Sequence, residues 1–509
     1  MQNRPNILII SADQHRADCL GVAGRRVKTP HLDALAKSGT RFGSCISPSV
    51  ACQPARASIL TGQLCRTHGV QDDGMDLDPT IGEKGFAGTL ANSGYDTALF
   101  GKAHFSTYHP RAPSGTPECL RSSAKYDSHW HGPYMGFEHV ELTLQAKNGF
   151  APETPPRGQH YERFFHADKN GEHKQAQYGK DKGSSSKPNV CWHSGLTPAD
   201  HSTPWTADRA IDWLRHGRTS EKPFCSWVSF ADLQHPYDCP EPWSRLHDPR
   251  DVDLPAHRTL APDSLPWWYQ SALMREDSLY NNNEVRGILN KKNDSESTKQ
   301  SDKLLREIIA NAYGKIAFID NQVGRLMNTL AELDLSETTH VFYLSDHGDW
   351  LGDHGLTMKG PMFYDCLLRV PLIWRGPDVP KNRINYEPVS TIDLSPSIIE
   401  LAEVQPQLQQ HGESLRPLLD GQSKRDFAMS EWELLPGRVD ATVSLRSVRT
   451  RTYKLTKDMN SGHGELYDLL ADPNEMHNLF DDPASTDIRI RLESYLMMRT
   501  QDVATRKAA

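Results

Sequence analysis

Four short apolar runs, each ending in a cluster of polar residues, constrain this chain most. They are Asn6 to Ala12 before Asp13, Tyr95 to Phe100 before Gly101-Lys102-Ala103-His104, Phe224 to Phe230 before Ala231 to Pro236, and His340 to Leu344 before Ser345 to Asp349. Helical patterns separate them, and that alternation predicts an α/β fold with a parallel or mostly parallel central sheet flanked by helices. Ligands of open α/β sheets sit beyond the carboxyl ends of the strands, so the four clusters should converge on one site.

Apolar residues at 304, 305, 308, 309, 312, 316, 319, 323, 326, 330 and 333 keep the three-and-four spacing of an amphipathic helix from Leu304 to Leu333. Two polar segments, Asp294 to Asp302 and Gly179 to Pro188, read as exposed loops. Residues 106 to 200 are rich in His, Pro, Gly and Trp with weak periodicity, and read as long loops over the site. After about residue 425 short alternating runs and a helical tail replace this pattern. We therefore expect residues 1–424 to form a catalytic domain and 425–509 a smaller antiparallel sheet plus helix.

At 509 residues the chain is long enough for two such units. A content of 24% charged and 37% hydrophobic residues is that of a globular protein. No window carries the eighteen apolar residues of a membrane span, and the amino terminus runs straight into a strand without a leader pattern, so we expect a cytoplasmic protein without membrane partners. Net charge −8 disfavours nucleic acid as a partner. Nine scattered cysteines form neither a disulfide framework nor a CxxC metal site, and most should be reduced and buried.

One cysteine stands apart. Cys52-Gln53-Pro54-Ala55-Arg56 is followed by Thr61-Gly62, and this stretch resembles the signature of the type I sulfatases of the alkaline-phosphatase superfamily. The resemblance implies that a formylglycine-generating enzyme oxidises Cys52 to an aldehyde. Hydrated to a diol, that group attacks sulfur with one oxygen, and loss of a proton from the other expels sulfate by breaking the carbon–oxygen bond. A serine nucleophile would instead wait for water to cleave its ester. By the same resemblance Arg56 holds the diol in place.

The family's divalent metal is bound at the ends of two strands, where Asp13 with Gln14, and Asp346 with His347, match the pattern. Cys52, once modified, completes the ligand set. Many relatives have Asp-Asp and Asp-Asn at these pairs; Gln14 and His347 weaken the case for calcium, the first expectation, and leave manganese open. Lys102 and His104 match a Gly-Lys-x-His element, and Lys359 matches a lysine following the Asp-His-Gly segment. These imply that Lys102 and Lys359 bind the sulfate group and that His104 assists deprotonation of the diol. His235 is the expected general acid and substrate contact, although relatives place a histidine where Gln234 stands here. Lys359 is the alternative acid. Asp353 and His354 have no assigned role.

The expected reaction is hydrolysis of a small-molecule or saccharide sulfate ester. Phosphonate monoester or phosphodiester hydrolysis is the nearest alternative, since such relatives share the Asp-Gln and Asp-His pairs but typically lack Gly-Lys-x-His. A non-catalytic anion-binding protein is an alternative of another class. His129, Trp130, His131 and His201 could line a substrate pocket or simply pack. Ser447 to Leu455 and Gly464 to Leu479 resemble the family's closing sheet and the loop after it. Oligomeric state is not legible.

Overall fold

A computed structural model describes residues 4–108, 113–143, 158–167, 170–178, 180, 191–258, 266–269, 295–297, 301–360, 362–421, 423–434 and 442–499. Its centre is an eight-stranded sheet. In chain order the strands are β1 (Asn6–Ala12), β2 (Thr40–Phe42), β3 (Asp96–Gly101), β4 (His139–Leu142), β5 (Phe224–Ser229), β6 (Thr339–Ser345), β7 (Leu372–Arg375) and β8 (Arg383–Asn385). They lie in the order β8-β2-β7-β6-β1-β5-β3-β4, and β6, β1, β5, β3 and β4 run parallel. Only β7 departs, pairing antiparallel with both β6 and β2.

The continuous apolar character of β1 follows from burial on both faces. Leu8, Ile10 and Ala12 share a core with Ile308, Ile316 and Ile319 of a helix at Asp302–Glu332. Ile7 and Ile9 share the opposite core with Ile59 and Leu60 of a helix at Cys52–Thr61, and with Ile398 of one at Leu394–Leu401. In chain order we name Cys52–Thr61 α1, Ser202–Asp212 α2, Asp302–Glu332 α3, Leu394–Leu401 α4 and Thr486–Met497 α5. The helix expected from Leu304 is α3, begun by Ser301, whose hydroxyl accepts from Leu304 N at 3.3 Å.

The polar stretch expected as an exposed loop at 294–302 differs in part: Ser295–Ser297 pairs antiparallel with Leu356–Met358. Strand pairing through the backbone needs no apolar pattern, so composition hid it. Most of the other, 179–188, lies outside the described residues; within 106–200 the chain forms β4, helices at His160–His166 and Gly171–Tyr178, and a strand at Cys191–Ser194. The nine cysteines are unbridged, and all but Cys366 are buried. Among the described residues no helix is long and apolar enough to cross a membrane.

Four antiparallel strands form a second sheet: β9 (Ala428–Leu434), β10 (Val443–Arg449), β11 (Tyr453–Asp458) and β12 (Gly464–Asp468). Val448, Leu455 and Leu466 pack with Leu492 and Leu496 of α5. Trp432, Leu445 and Tyr467 pack with Trp350, Phe363 and Tyr364. This sheet thus shares a core with residues between 350 and 368.

Candidate active site

Register explains why distant residues meet. Ala12 lies opposite Ser345, Ser11 opposite Ser229, and Gly101 opposite Ser229, so β1, β3, β5 and β6 end at nearly one level. The next residues, Asp13, Lys102 and Asp346, enter one space beyond the sheet. Gly101 has φ 95°, and a Cβ there would come within 2.1 Å of the Ser229 carbonyl oxygen, so a side chain would wedge β3 from β5. Gln14 (φ 63°) and His104 (φ 53°) turn through the left-handed region just after their strands, a strain that clusters at functional sites.

Cys52 is the first residue of α1, and Arg56 follows one helical turn later on the same face. Both are fully buried. Arg56 clamps the strand ends together: Nε donates to Ala103 O at 2.8 Å, one terminal nitrogen to Asp346 Oδ2 at 3.1 Å, and the other to Lys102 O and Ser229 Oγ. Cys52 carries its unmodified thiol, so Sγ stands in for the oxygens that oxidation would attach to the same side chain. Sγ lies 2.6 Å from Lys359 Nζ, 3.0 Å from His347 Nε2 and 3.7 Å from Asp13 Oδ1. Burial, then the Asp13 charge, push this thiol well above the ordinary range, which keeps it protonated.

The groups around it suit a divalent cation. Asp13, Cys52, Asp346 and His347 each bring a ligand atom within 4.8 Å of the others. His347 Nδ1 donates to Gly348 O at 2.9 Å, which puts the ring's lone pair on Nε2, where it faces Cys52 Sγ at 3.0 Å and Lys359 Nζ at 3.3 Å. Burial, then Lys359, lower the His347 pKa and keep the ring neutral, the state a metal needs. Gln14 Nε2 donates to Asp349 Oδ2 at 2.6 Å, while its Oε1 is buried with no hydrogen-bond partner among the described residues, as an oxygen ligand awaiting a cation would be. Burial alone would raise the Asp13 pKa, but the Lys102 and Lys359 ammonium groups outweigh it and hold the carboxyl ionised.

Lys102 Nζ pairs with Asp13 Oδ2 and donates to Gln234 Oε1 at 3.3 Å. Burial works against its charge, but the Asp13 and Asp346 carboxylates overcome it and raise the pKa. His104 is half-buried; burial, then Lys102, depress its pKa to about 3, and its Nδ1 has no hydrogen-bond partner among the described residues. In the turn after β5, Gln234 makes the contact with Lys102, and His235 lies buried one residue later. Asp353 pairs with Arg16 and His257, away from Cys52. His354 stacks on Tyr364. Of the four residues considered for a substrate pocket, His129 is exposed, Trp130 and His131 pack on His160, and His201 is buried between Asp232 and Asp238.

Sequence reasoning passed over three supporting groups. Asp349 accepts from Gln14 and from Tyr237 Oη, fixing the Gln14 amide. It stood inside the polar cluster after β6, which was its only signal. Asp73 accepts from Gln53 N at 2.9 Å at the start of α1 and lies 3.8 Å from Lys359 Nζ. Lys315, fully buried on α3, pairs with Asp232 at 2.9 Å and Asp238 at 3.3 Å and donates to Gln234 O and Pro236 O. A lysine three residues after Ala312 and four before Ile319, on an apolar stripe, was its signal.

Residues 5–404 match the family model described as Sulfatase. The chain belongs to the sulfatase family. Sulfatases are hydrolases of sulfuric esters, and this chain is one of them. Residues 352–502 match a second model, N-sulphoglucosamine sulphohydrolase, C-terminal. The sulfatase is 28% identical over 488 residues to an arylsulfatase of Clostridium perfringens, covering 94% of this chain and 90% of the relative. It is 27% identical to a choline-sulfatase of Rhizobium meliloti, covering 97% and 86%. Its fold is similar to that of a phosphonate monoester hydrolase of Agrobacterium radiobacter, with TM-score 0.77, 25% identity and 97% and 95% of the two chains covered. A structure solved with D-glucosamine-2-N,6-O-disulfate shares the fold with TM-score 0.70 and 21% identity over 97% of each chain.

Proposed function

We propose that this sulfatase cleaves the sulfate ester of an aryl or carbohydrate alcohol, with Cys52, oxidised to formylglycine by a formylglycine-generating enzyme, as its nucleophile. The observation that carries the reading is the placement of Cys52 Sγ at the start of α1, 2.6 Å from Lys359 Nζ and 3.0 Å from His347 Nε2. Asp13, Gln14, Asp346 and His347 are the residues that would hold a divalent metal beside the modified Cys52, calcium first and manganese second. Such an ion supplies a lowered pKa to the nucleophile and neutralises charge on the ester.

The chain's own residues do the rest. Lys102 and Lys359 set two ammonium groups beside the reacting side chain, where they stabilise charge growing on the sulfuryl oxygens. Arg56 fixes α1 against three strand ends, so nucleophile and cations keep their spacing. His104, neutral and with a free Nδ1, accepts a proton from the nucleophile's side of the site. Protonation of the leaving oxygen falls to His235 or Lys359; the Lys359 contact with Sγ supports the lysine.

The names of two relatives, N-acetylglucosamine-6-O-sulfatase and arylsulfatase, and the disulfated glucosamine bound by a neighbour support this substrate class. A second reading, phosphonate monoester hydrolysis, is favoured by the likeness to two hydrolases of that kind, with TM-scores 0.77 and 0.78. Matched aryl sulfate and phenyl phosphonate esters, offered to protein co-produced with a formylglycine-generating enzyme and supplied with calcium or manganese, separate the two. The proposal requires a higher kcat/KM for the sulfate. Preference for the phosphonate overturns it.

A further inference from the structure

At the far edge of the sheet, away from Cys52, lies a second group with the composition of a metal site. His139 and Glu141 are two residues apart on β4, so their side chains leave the same face, while Val140 and Leu142 enter the core. His131 comes from the segment that covers this edge, its carbonyl accepting from Val140 N at 2.7 Å. The His131 and His139 rings stack with centroids 5.1 Å apart and planes 4° apart. One ligand atom from each of His131, His139 and Glu141 lies within 4.8 Å of the others.

We propose that His131, His139 and Glu141 bind a divalent transition metal of the zinc class, pinning the segment around His131 to the edge strand. Two imidazoles and one carboxylate are a borderline donor set that suits zinc or cobalt over calcium. A tetrahedral ion with bonds of about 2.0–2.1 Å holds its ligand atoms about 3.3–3.4 Å apart. His139 Nε2 and Glu141 Oε1 are 3.3 Å apart, long for a charge-assisted hydrogen bond but right for that edge. Among the described residues His131 Nδ1 is buried without a hydrogen-bond partner.

The neighbouring His160 does not compete, because its Nδ1 accepts from Leu142 N at 3.0 Å and its Nε2 faces Trp130 O at 2.8 Å. His139 keeps 29% and Glu141 13% of its side-chain surface exposed, which gives an ion a way in and leaves room for water as a fourth ligand. The group lies outside the candidate active site, so its occupancy is independent of turnover there.

Cobalt binding to full-length protein stripped with a chelator tests the proposal. Wild-type protein should bind two Co2+ per chain with the intense visible absorption of tetrahedral cobalt. His139→Gln and Glu141→Gln should each lose one equivalent and that absorption, while keeping hydrolytic activity and far-ultraviolet dichroism. Asp13→Asn, in the candidate active site, should lose the other equivalent and keep the absorption. Zinc should raise the Tm of wild-type protein above that of the two edge variants. Cobalt stoichiometry and absorption unchanged in whichever edge variant folds, or no tetrahedral band in wild-type protein, would overturn the site.

Discussion

Asp349 Oδ2 accepts a hydrogen bond of 2.6 Å from Gln14 Nε2, and this fixes which end of the Gln14 amide faces the Asp13, Asp346 and His347 cluster. Tyr237 Oη donates to the same carboxyl at 2.8 Å, and burial raises its pKa to about 6. Partners of this kind typically account for ten- to hundredfold in metal affinity. Asp349→Asn should therefore raise the metal concentration for half-maximal activity by about ten- to hundredfold. Metal titration of chelator-treated enzyme reads it, and an unchanged titration would separate Asp349 from the metal.

Cys52→Ala removes the proposed nucleophile from a residue whose neighbours Arg56 and Asp346 are held by other bonds. Turnover should fall by more than about a thousandfold with Tm nearly unchanged. Activity close to wild type in this variant would end the formylglycine argument. Mass spectrometry of the Cys52 peptide should show the aldehyde in active wild-type enzyme.

Arg56→Lys keeps the charge but not the fork. The guanidinium serves Ala103, Lys102, Ser229 and Asp346 at once, and one ammonium cannot reach all of them. Leaving a buried acceptor unmet costs about 1–3 kcal/mol. Urea unfolding should show a loss of that order. A change below about 1 kcal/mol would mean that the strand ends hold without the clamp.

Lys102→Met should behave differently with and without metal. Asp13 and Lys102 are both buried and paired, so in chelated protein the variant leaves Asp13 with Lys359 as its remaining cation and should lower Tm markedly. A bound divalent ion would supply the missing charge, so the loss should shrink in metal-loaded protein while turnover stays low. Equal losses of Tm in the two states would place Asp13 outside the metal site.

His340 lies at the start of β6, opposite the site, and its Nδ1 accepts from Trp374 Nε1 at 3.2 Å. Burial, then Arg416, lower its pKa from 6.5 to about 4. The folded state thus resists protonating this ring: its stability is fully present above pH 6.5 and is lost as pH falls toward 4. The difference amounts to at most about 3 kcal/mol. Denaturant unfolding of wild type and His340→Gln between pH 7.5 and 4.5 should show the wild type losing more stability with acid, whereas parallel pH profiles would count against His340.

What sequence alone determined here was local. Four strands of the central sheet, β1, β3, β5 and β6, show as contiguous apolar runs, α3 as a repeat of three and four, and the proposed nucleophile as a motif on a single helical turn, because each signal depends on residues close together in the chain. The alternation of runs and helices was enough to predict that Asp13, Lys102 and Asp346 would meet. Tertiary structure decided everything that depends on long-range register. It turned Gln234 toward Lys102, set Asp349 behind Gln14, and buried Lys315 under the turn that carries Gln234. It also brought His131 beside β4 to join His139 and Glu141. Nothing in local spacing encodes such contacts, since side-chain direction at a turn and pairing at a sheet edge are fixed only when the whole sheet has packed.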